Sequence, residues 1–293
     1  PFAQIVDEVR VLAADGVTEV TLLGQNVNSY GRDLQVTARQ AGDDAARLRP
    51  LFADLLREVG AVPGIRRVRY TSPHPKDMRT DTFEAMSSTA SVCEHLHYPL
   101  QSGSDRVLAA MHRGYTAERY LDRLGEARRL VADLAVSTDI IVGFPGETED
   151  DFAQTLEVAA AAEYDYAYTF LFSPRPGTEA AEMVDRFVEP AVAGERFQRL
   201  RVVVERSALA RHEARVGRVE EVVVEGPSKK DTSLLTGRTR QNKLVHFPSS
   251  SPLRVGTYAT VEVLAAAPHH LMGRLVDVLA EPTHKRRIAV MAG

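Results

Sequence analysis

The sequence has little cysteine, no tryptophan and no long apolar run. One cysteine in 293 residues, Cys93, rules out an intramolecular disulfide framework. No run of about 18 apolar residues occurs and no signal peptide is visible, so the sequence predicts neither a membrane span nor secretion. With 44% hydrophobic and 26% charged residues, the composition is typical of a globular protein. We therefore expect a cytoplasmic protein without membrane attachment.

Positive charge is scarce except near the C-terminal end. Residues 211–293 carry 13 Lys and Arg against 8 Asp and Glu, whereas the other residues carry 23 against 32. A basic segment on an acidic body favours a separate module with an anionic partner. Chance, together with a solvated basic face, would explain the same counts.

An initiator methionine is also missing, because the chain begins at Pro1. The first sixteen residues follow a helical pattern directly, with apolar residues on one face and Gly16 as the predicted C-cap. Domains rarely begin without an entry loop or strand. We expect the chain to be a fragment that lacks upstream residues.

Helices and strands are predicted to alternate through residues 1–189. Strands are expected at residues 17–23, 66–70, 95–98, 136–142 and 164–172. Such alternation predicts a parallel sheet with crossover helices, and hence an α/β fold. A partial β/α barrel is favoured over a doubly wound sheet, because no GxGxxG fingerprint follows a strand.

Polar loops rich in glycine and proline follow all five predicted strands. They are GQNVNSYG from Gly24, SPHP from Ser72, QSGS from Gln101, GFPGE from Gly143 and SPRPGT from Ser173. Ligands of β/α barrels bind at the C-terminal ends of the strands. Five such loops on one face therefore predict a single binding site.

The stretch AVSTDIIVGFPGETEDDF, residues 135–152, predicts a buried strand, a tight glycine turn and a helix. Thr148 is the expected N-cap, with Asp151 three residues later in a near capping box. The acidic helix start argues against bound phosphate and favours a neutral or cationic ligand. The alternative is an ordinary strand–turn–helix connection.

Three side chains on the predicted site face have both a functional and a structural interpretation. His74, between two prolines, could contact substrate or only pack. Asp139 lies in an apolar strand and needs partners, for function or for structural hydrogen bonds. Arg175 could bind a carboxylate through two hydrogen bonds or cap a neighbouring loop.

Three other residues are interpreted as structural. Cys93 precedes a strand at the end opposite the polar loops, and we expect a buried free thiol. His95 and His97 point to the same side of a strand, but they lack a third ligand nearby. We therefore expect packing residues and not a metal site.

The pattern of predicted helices and strands changes in the C-terminal part of the chain. An Arg-rich helical pattern over residues 190–216 predicts a connector, and five short strand-like runs follow within residues 217–280. We expect a small antiparallel β-barrel there, of the basic kind that commonly binds RNA, and a basic tail over residues 281–293. A purely structural barrel is the alternative. The candidate RNA contacts are Lys229, Lys230, Arg238, Arg240 and Lys243, all expected in loops.

Four long segments, in this order, resemble a known family. They are LLGQNVNSYG, LHYPLQSGSDRVLAAMHRGYT, STDIIVGFPGETEDDF and FLFSPRPGTEAAEM. Together they resemble the methylthiotransferase branch of the radical S-adenosylmethionine (SAM) enzymes, and more narrowly the tRNA-2-methylthio-N6-dimethylallyladenosine synthases. The resemblance covers nearly the whole chain, and the C-terminal barrel is similar to the family's RNA-binding TRAM domain. It implies a partial (β/α)6 barrel that lacks its first strand, at residues 1–189, followed by the connector and the TRAM barrel.

The resemblance also implies a chemistry and its partners. A [4Fe-4S] cluster reduces S-adenosylmethionine to a 5′-deoxyadenosyl radical, which activates C2 of an isopentenylated adenosine in the anticodon stem-loop of tRNA. A second cluster takes part in sulfur delivery, and a second S-adenosylmethionine supplies the methyl group. We expect an electron donor such as a flavodoxin, and a monomeric parent protein.

Site residues are implied by the same resemblance, position by position. Near the methionine part of S-adenosylmethionine we expect Gly24, Gln25 and Asn26, and near its ribose Gln101, Ser102 and Asp139. Near its adenine we expect Gly143, Pro145, Gly146 and Glu147, together with Phe172, Ser173 and Arg175. Ser72 and His74 are the expected substrate contacts.

The sequence departs from the family in its cysteines. Iron–sulfur clusters need thiolates, and Cys93 alone cannot supply a CxxxCxxC triplet. We therefore expect no cluster on this chain, an inactive fragment and an active parent enzyme. A ribosomal-protein methylthiotransferase and a non-catalytic RNA-binding protein are the alternatives.

Overall fold

The computed structural model describes residues 2–40 and 49–283 of the chain. Most of the predicted basic tail, residues 284–293, lies outside the described residues, as do residues 41–48, which belong to a polar stretch, residues 32–49, without apolar periodicity. In the described part of the chain, no helix combines the length and the apolar character that crossing a membrane requires.

Helices and strands alternate in the first part of the chain, as the sequence pattern predicts. The helices are α1 Phe2–Ala14, α2 Arg32–Gln40, α3 Phe52–Gly60, α4 Thr80–Ser88, α5 Asp105–Ala110, α6 Ala117–Leu130, α7 Glu149–Ala162, α8 Glu179–Glu182 and α9 Pro190–Glu213. The strands are β1 Glu19–Leu22, β2 Arg67–Tyr70, β3 His95–His97, β4 Ala135–Val142 and β5 Tyr166–Leu171.

The five strands run parallel in chain order. β1 pairs with β2, and β3, β4 and β5 form a second sheet. An isolated parallel bridge between Val68 and Val92 joins the two sheets. A continuous apolar core lies between this curved layer and the helices, with Phe52, Phe83 and Phe152 fully buried. The predicted α/β partial barrel is therefore confirmed.

Two local sequence patterns predict something other than the structure shows. Residues 32–49 are polar and lack apolar periodicity, which predicts a mobile insertion, but the stretch begins with helix α2, which has an acidic residue in its first turn and a basic one in its last, as the helix dipole favours. Residues 77–88 predict a helix that begins at Asp77, but helix α4 begins at Thr80, because Pro75–Asp77 form a separate 3₁₀ turn. His74 caps that turn by accepting a hydrogen bond from the Lys76 N–H.

Residues 219–280 form a closed five-stranded barrel. Its strands are β6 Val219–Pro227, β7 Leu234–Thr239, β8 Leu244–Pro248, β9 Tyr258–Ala267 and β10 His270–Ala280, close to the predicted positions. The order around the barrel is β10-β8-β7-β6-β9. β10 pairs with β8 in parallel, so the barrel is mixed, and the prediction of an antiparallel barrel was wrong in this respect. A closed ring of five strands with four antiparallel contacts leaves the fifth contact parallel.

Buried charges join the barrel to the base of the parallel sheet. The fully buried guanidinium of Arg67 on β2 donates to the Glu221 carboxylate at 2.8 Å and to the Arg238 carbonyl at 2.8 Å. Arg69, two residues further, donates to the Thr239 and Arg240 carbonyls. These strand residues point into the base of the parallel layer, so the barrel closes the end opposite the polar loops.

Three of the predicted RNA contacts lie at or beside this junction. Arg240 donates to both oxygens of Glu94 and to the Ala90 and Val92 carbonyls. Lys243 is 3% exposed at its side chain, and its ammonium lies 2.6 Å from Asp165. Arg238 lies within strand β7 and pairs with Glu225. Arg240 and Lys243 lie in the loop between β7 and β8, as expected, whereas Arg238 lies in a strand and not in a loop; each of the three has a carboxylate partner within the protein.

We predict that Lys243→Ala destabilises the protein by about 3–5 kcal/mol, since it leaves the Asp165 carboxylate buried without its counter-charge. The matched control is Arg10→Ala, which breaks an exposed pair with Asp7 and should cost about 0–1 kcal/mol. Chemical denaturation monitored by circular dichroism measures both. Equal effects of the two substitutions would show that the junction does not depend on this pair.

Candidate functional site

The turn after β4 is shaped by glycine and by the helix that follows. Gly143 has φ of +77°, and a Cβ there would lie 3.0 Å from the Ala193 side chain. Thr148 and Asp151 form the full capping box at the start of α7, as the sequence predicts. The turn is therefore held at both ends, and its backbone lies at the C-terminal edge of the sheet.

Glu147 in this turn faces inward. Its carboxylate accepts from the Gly143 N–H at 3.1 Å and from Arg196 of α9 at 3.0 Å. Burial raises the pKa of Glu147, although Arg196 and the Gly143 N–H oppose that shift. Glu147 thus links α9 to the turn through these hydrogen bonds. It does not line the cavity, described below, that opens at the ends of the strands.

Asp151 links the same turn to the loop after β3. It accepts hydrogen bonds from Ser104 and from Arg106, and Arg106 also donates to the Gly146 carbonyl. Burial by itself would raise the pKa of Asp151, but these hydrogen bonds and those from Thr148 outweigh it and hold the pKa below its usual range.

The loops after β1 and β2 are held together by amides. The Asn28 side chain accepts from the His74 N–H at 2.7 Å and donates to the His74 carbonyl at 3.0 Å. Asn26 donates to Asp77 at 2.6 Å, and its side-chain oxygen is buried without a partner. A buried unpaired acceptor of this kind is suited to receive a donor from a ligand.

Gln101, directly after β3, has a strained backbone with φ of +67°. Its N–H donates to the Asp139 carbonyl, and its carbonyl accepts from the Ile141 N–H, so this loop is hydrogen-bonded to β4. Ser72 after β2 has φ of +59°. Strained non-glycine residues tend to lie at ligand-binding sites.

A cavity of about 660 Å³ opens at the ends of β3, β4 and β5. This size is within the range of small-molecule sites. Its walls combine apolar side chains such as Phe144 and Phe172 with a few polar groups. Of the predicted site residues, it brings together Gln101, Asp139, Phe172, Ser173 and Arg175.

The other predicted cofactor residues do not line this cavity. Gly24, Gln25 and Asn26 belong to the amide loop after β1. Ser102 is buried against Thr155 at 3.3 Å. Gly143, Pro145, Gly146 and Glu147 form the turn that carries Phe144, whose ring contributes to the wall.

Sequence reasoning missed a second group of lining residues, which follow helix α5 and not a strand. Met111, His112 and Arg113 belong to this group. Arg113 Nε is buried without a hydrogen-bond partner, so it is available to an acceptor group of a ligand. The only sequence signal for this turn is the tripeptide HRG, residues 112–114. In the structure both His112 and Gly114 have positive φ.

A chain of polar contacts runs along the interior from the base of β3 to the cavity. Ser137 Oγ lies 3.0 Å from His95 Nε2 and 3.0 Å from His97 Nδ1. His97 Nε2 lies 3.3 Å from the Asp139 carboxylate. The two histidines are therefore hydrogen-bonded residues of the interior, and Asp139 has both a structural partner and access to the cavity.

No described group of three or more His, Cys, Asp or Glu could hold a metal ion. Cys93 is a buried free thiol at the base of the sheet, as predicted. Burial raises the pKa of this thiol, although the nearby Arg69 and Arg240 oppose the shift.

Comparison with known families agrees with this architecture. A model of the Radical SAM superfamily matches residues 1–159, which is more than half of the chain. The chain belongs to the radical SAM superfamily. A TRAM domain model matches residues 213–276, which include four barrel strands and most of β10.

Relatives of this radical SAM chain carry the name that the motifs suggested. The tRNA-2-methylthio-N(6)-dimethylallyladenosine synthase of Acidothermus cellulolyticus is 52% identical over 271 residues, which are 92% of this chain and 52% of that protein. The protein of the same name from Moorella thermoacetica is 46% identical, over 93% of this chain and 58% of its own length. The predicted resemblance is confirmed, and the chain spans about half the length of these curated relatives.

Among solved structures, coproporphyrinogen III oxidase from Escherichia coli, described as a radical SAM enzyme, matches with a TM-score of 0.49 and 14% identity. The match covers 89% of this chain and 60% of that one. A likeness at this level adds nothing to the family assignment.

We predict that His95, which is half-buried, and His212, which is buried, make the protein acid-sensitive. Burial lowers the pKa of His95 to about 3 and of His212 to about 4, whereas unfolded histidine titrates near 6.5. The unfolded state therefore binds more protons below pH 6.5, so stability falls as the pH drops from about 6.5 towards 4.

Titration of His95 should lower the free energy of unfolding by about 1–2 kcal/mol between pH 7 and pH 5. In His95→Gln this part of the pH dependence should be absent. The matched control is His112→Gln, whose imidazole is 77% exposed. Urea denaturation at both pH values gives the two differences. A pH dependence that is unchanged by His95→Gln would contradict the assignment.

Proposed function

We propose that the protein acts in tRNA modification, as part of an enzyme that methylthiolates C2 of an N6-isopentenyladenosine next to the anticodon. The observation that carries the proposal is a cavity of about 660 Å³ at the strand ends. The sequence that forms it is 52% identical to that of a protein named for this reaction. The TRAM barrel supports RNA as the substrate.

The described residues fit the adenosyl part of S-adenosylmethionine. Phe144 and Phe172, with rings 5.5 Å apart in an edge-to-face arrangement, offer apolar contacts for a purine. The Asp139 carboxylate accepts hydrogen bonds of the kind that ribose hydroxyls donate, and the Gln101 amide can donate as well as accept. The unpaired Arg113 Nε supplies a donor for an acceptor of the cofactor. When bound, S-adenosylmethionine supplies the adenosyl radical and the methyl group of the proposed reaction.

The residues of this chain do not fit an iron–sulfur cluster. A cluster of this class needs several thiolates, whereas the sequence has only Cys93, which is buried at the opposite end of the sheet. We therefore propose that this chain by itself is inactive. In the active protein, the chain's own contribution is to hold the cofactor and substrate close together and to exclude water.

We predict that deleting the gene that encodes this protein removes 2-methylthio groups from cellular tRNA and leaves the N6-isopentenyladenosine precursor in their place. Mass spectrometry of nucleosides from total tRNA of the deletion strain and of its parent strain measures both species. The precursor should rise by the amount that the modified nucleoside falls.

An unchanged level of 2-methylthio nucleosides in the deletion strain would refute the proposed function. Loss of a methylthio group from a ribosomal protein instead would favour the alternative methylthiotransferase. No change in either substrate would favour a non-catalytic RNA-binding role.

A further inference from the structure

The cations that the sequence suggested for RNA contact are mostly engaged within the protein. Arg240 and Lys243 have buried or half-buried carboxylate partners, and Arg238 pairs with Glu225. Lys229 and Lys230 are exposed, and no ion pair is found for either among the described residues. The loop that carries these two lysines is therefore an exposed cationic surface of the barrel, and Arg254, in the loop between β8 and β9, is a further exposed cation without an ion pair among the described residues.

Strand β5 presents aromatic rings at an open edge. It pairs with β4, and no further described strand covers its other side. Tyr166, Tyr168 and Phe170 share one side of β5 because side chains alternate along a strand. Tyr168 and Phe170 are 47% and 50% exposed, although large aromatic side chains are usually buried.

These rings connect the candidate cavity to a second groove. Phe170 lines both the cavity at the strand ends and a groove of about 330 Å³ between β5 and α9. The ring centroids of Tyr168 and Tyr166 lie 4.7 Å apart, and Tyr168 lies 6.2 Å from His97. The aromatic surface is thus continuous with the site and reaches along the sheet edge towards the barrel.

The β9–β10 hairpin extends this surface onto the barrel. The His269 ring lies 5.9 Å from Tyr166, and the adjacent His270 lies 5.1 Å from His246 on β8. Lys230 is close enough to His246 and His270 to lower the pKa of both, in addition to the effect of burial. We call these six rings the ring track: His97, Tyr168, Tyr166 and His269 form one series of ring contacts, and His270 with His246 forms a second series that begins at the next residue of the chain.

One carboxylate borders the groove, and it is neutralised. Glu205 accepts from Arg201 at 2.7 Å and lies 3.4 Å from His269 Nε2. The groove therefore presents no unpaired carboxylate of its own to a phosphate backbone. Base–aromatic stacking on exposed rings, with flanking cations for phosphate, is the usual chemistry of single-stranded nucleic acid binding.

We propose that unpaired nucleotides of the RNA substrate lie along the ring track, with Lys229 and Lys230 at its barrel end contacting phosphates. The track leads from the outer face of the barrel, past Tyr166 and Tyr168, to the cavity at Phe170. This proposal rests on the proposed function, since it assigns the surface by which the same site receives RNA.

Fluorescence anisotropy with a labelled RNA hairpin that has an anticodon-sized loop tests the proposal, with a blunt RNA duplex of equal length as the reference. Tyr168→Leu and His270→Ala each remove one ring and should weaken hairpin binding about tenfold. Tyr168→Phe keeps the ring and should bind as the unsubstituted protein does. Duplex binding should change little in all three.

Two further variants test the lysines at the barrel end of the ring track. Lys230→Ala should weaken hairpin binding and reduce the slope of log affinity against log salt by about one. Arg274→Ala removes another exposed barrel cation, which pairs with Glu262 and has no hydrogen bond or ion pair with a ring of the track among the described residues, and it should change neither quantity. Thermal melting of each variant shows whether it is folded.

A variant that fails to fold is replaced by a second measurement on the unsubstituted protein. Ultraviolet cross-linking of a 4-thiouridine hairpin, followed by peptide mapping, should label the peptides that contain Tyr166, Tyr168 and His270. Cross-links confined to other segments would overturn the track.

Failure of the track and failure of the proposed function are distinguishable. Hairpin binding that tolerates both ring deletions would overturn the track and leave the proposed function intact. The same holds if duplex and hairpin bind equally. Absence of any RNA binding would overturn both and indicate a protein partner for this surface. Track-dependent RNA binding without loss of 2-methylthio groups in the deletion strain would overturn the function alone.

Discussion

The buried guanidinium of Arg67 is the contact on which the arrangement of the two parts depends. It lies on a strand of the parallel layer, yet its partners are a carboxylate and carbonyls of the barrel. A charge buried this fully needs its partners, because leaving it unpaired costs several kcal/mol. The barrel is therefore held against the base of the sheet, and Lys243 with Asp165 secures the same junction at a second point.

This junction determines which end of the parallel layer can bind a ligand. The base is filled by charged pairs and covered by the barrel, so the loops at the strand ends form the open face. The β9–β10 hairpin of the barrel lies beside Tyr166, the first residue of β5, and the exposed edge of β5 leads from there to the open face. The cavity at the strand ends, the edge of β5 and the barrel surface are thereby adjacent.

Much of this architecture is predictable from sequence, because its signals are local. Alternating apolar runs predict the strands, and Thr148 with Asp151 predicts the start of α7. The polar loops predict which end of the sheet carries the site. Five of the cofactor residues implied by the resemblance line one cavity.

The rest depends on contacts between distant parts of the chain. Glu147 is adjacent to a glycine turn in sequence, but only the position of Arg196 on α9 shows that it faces inward. The sequence does not show that Arg240 and Lys243 are paired, because their partners Glu94 and Asp165 are distant in the chain. Arg113 follows a helix and not a strand, so a rule based on strand ends could not find it. The parallel pairing of β10 with β8 follows from closing a ring of five strands, and no single strand signals it.

The central claim is that the cavity at the ends of β3, β4 and β5 holds the adenosyl group of S-adenosylmethionine. Isothermal titration with S-adenosylhomocysteine, which needs no cluster for its adenosyl contacts, tests it most directly. The account predicts saturable binding that Asp139→Asn weakens about tenfold. Glu118→Gln, a change at an exposed carboxylate of α6, should leave binding unchanged. Binding that is equally tight in both variants would contradict the claim.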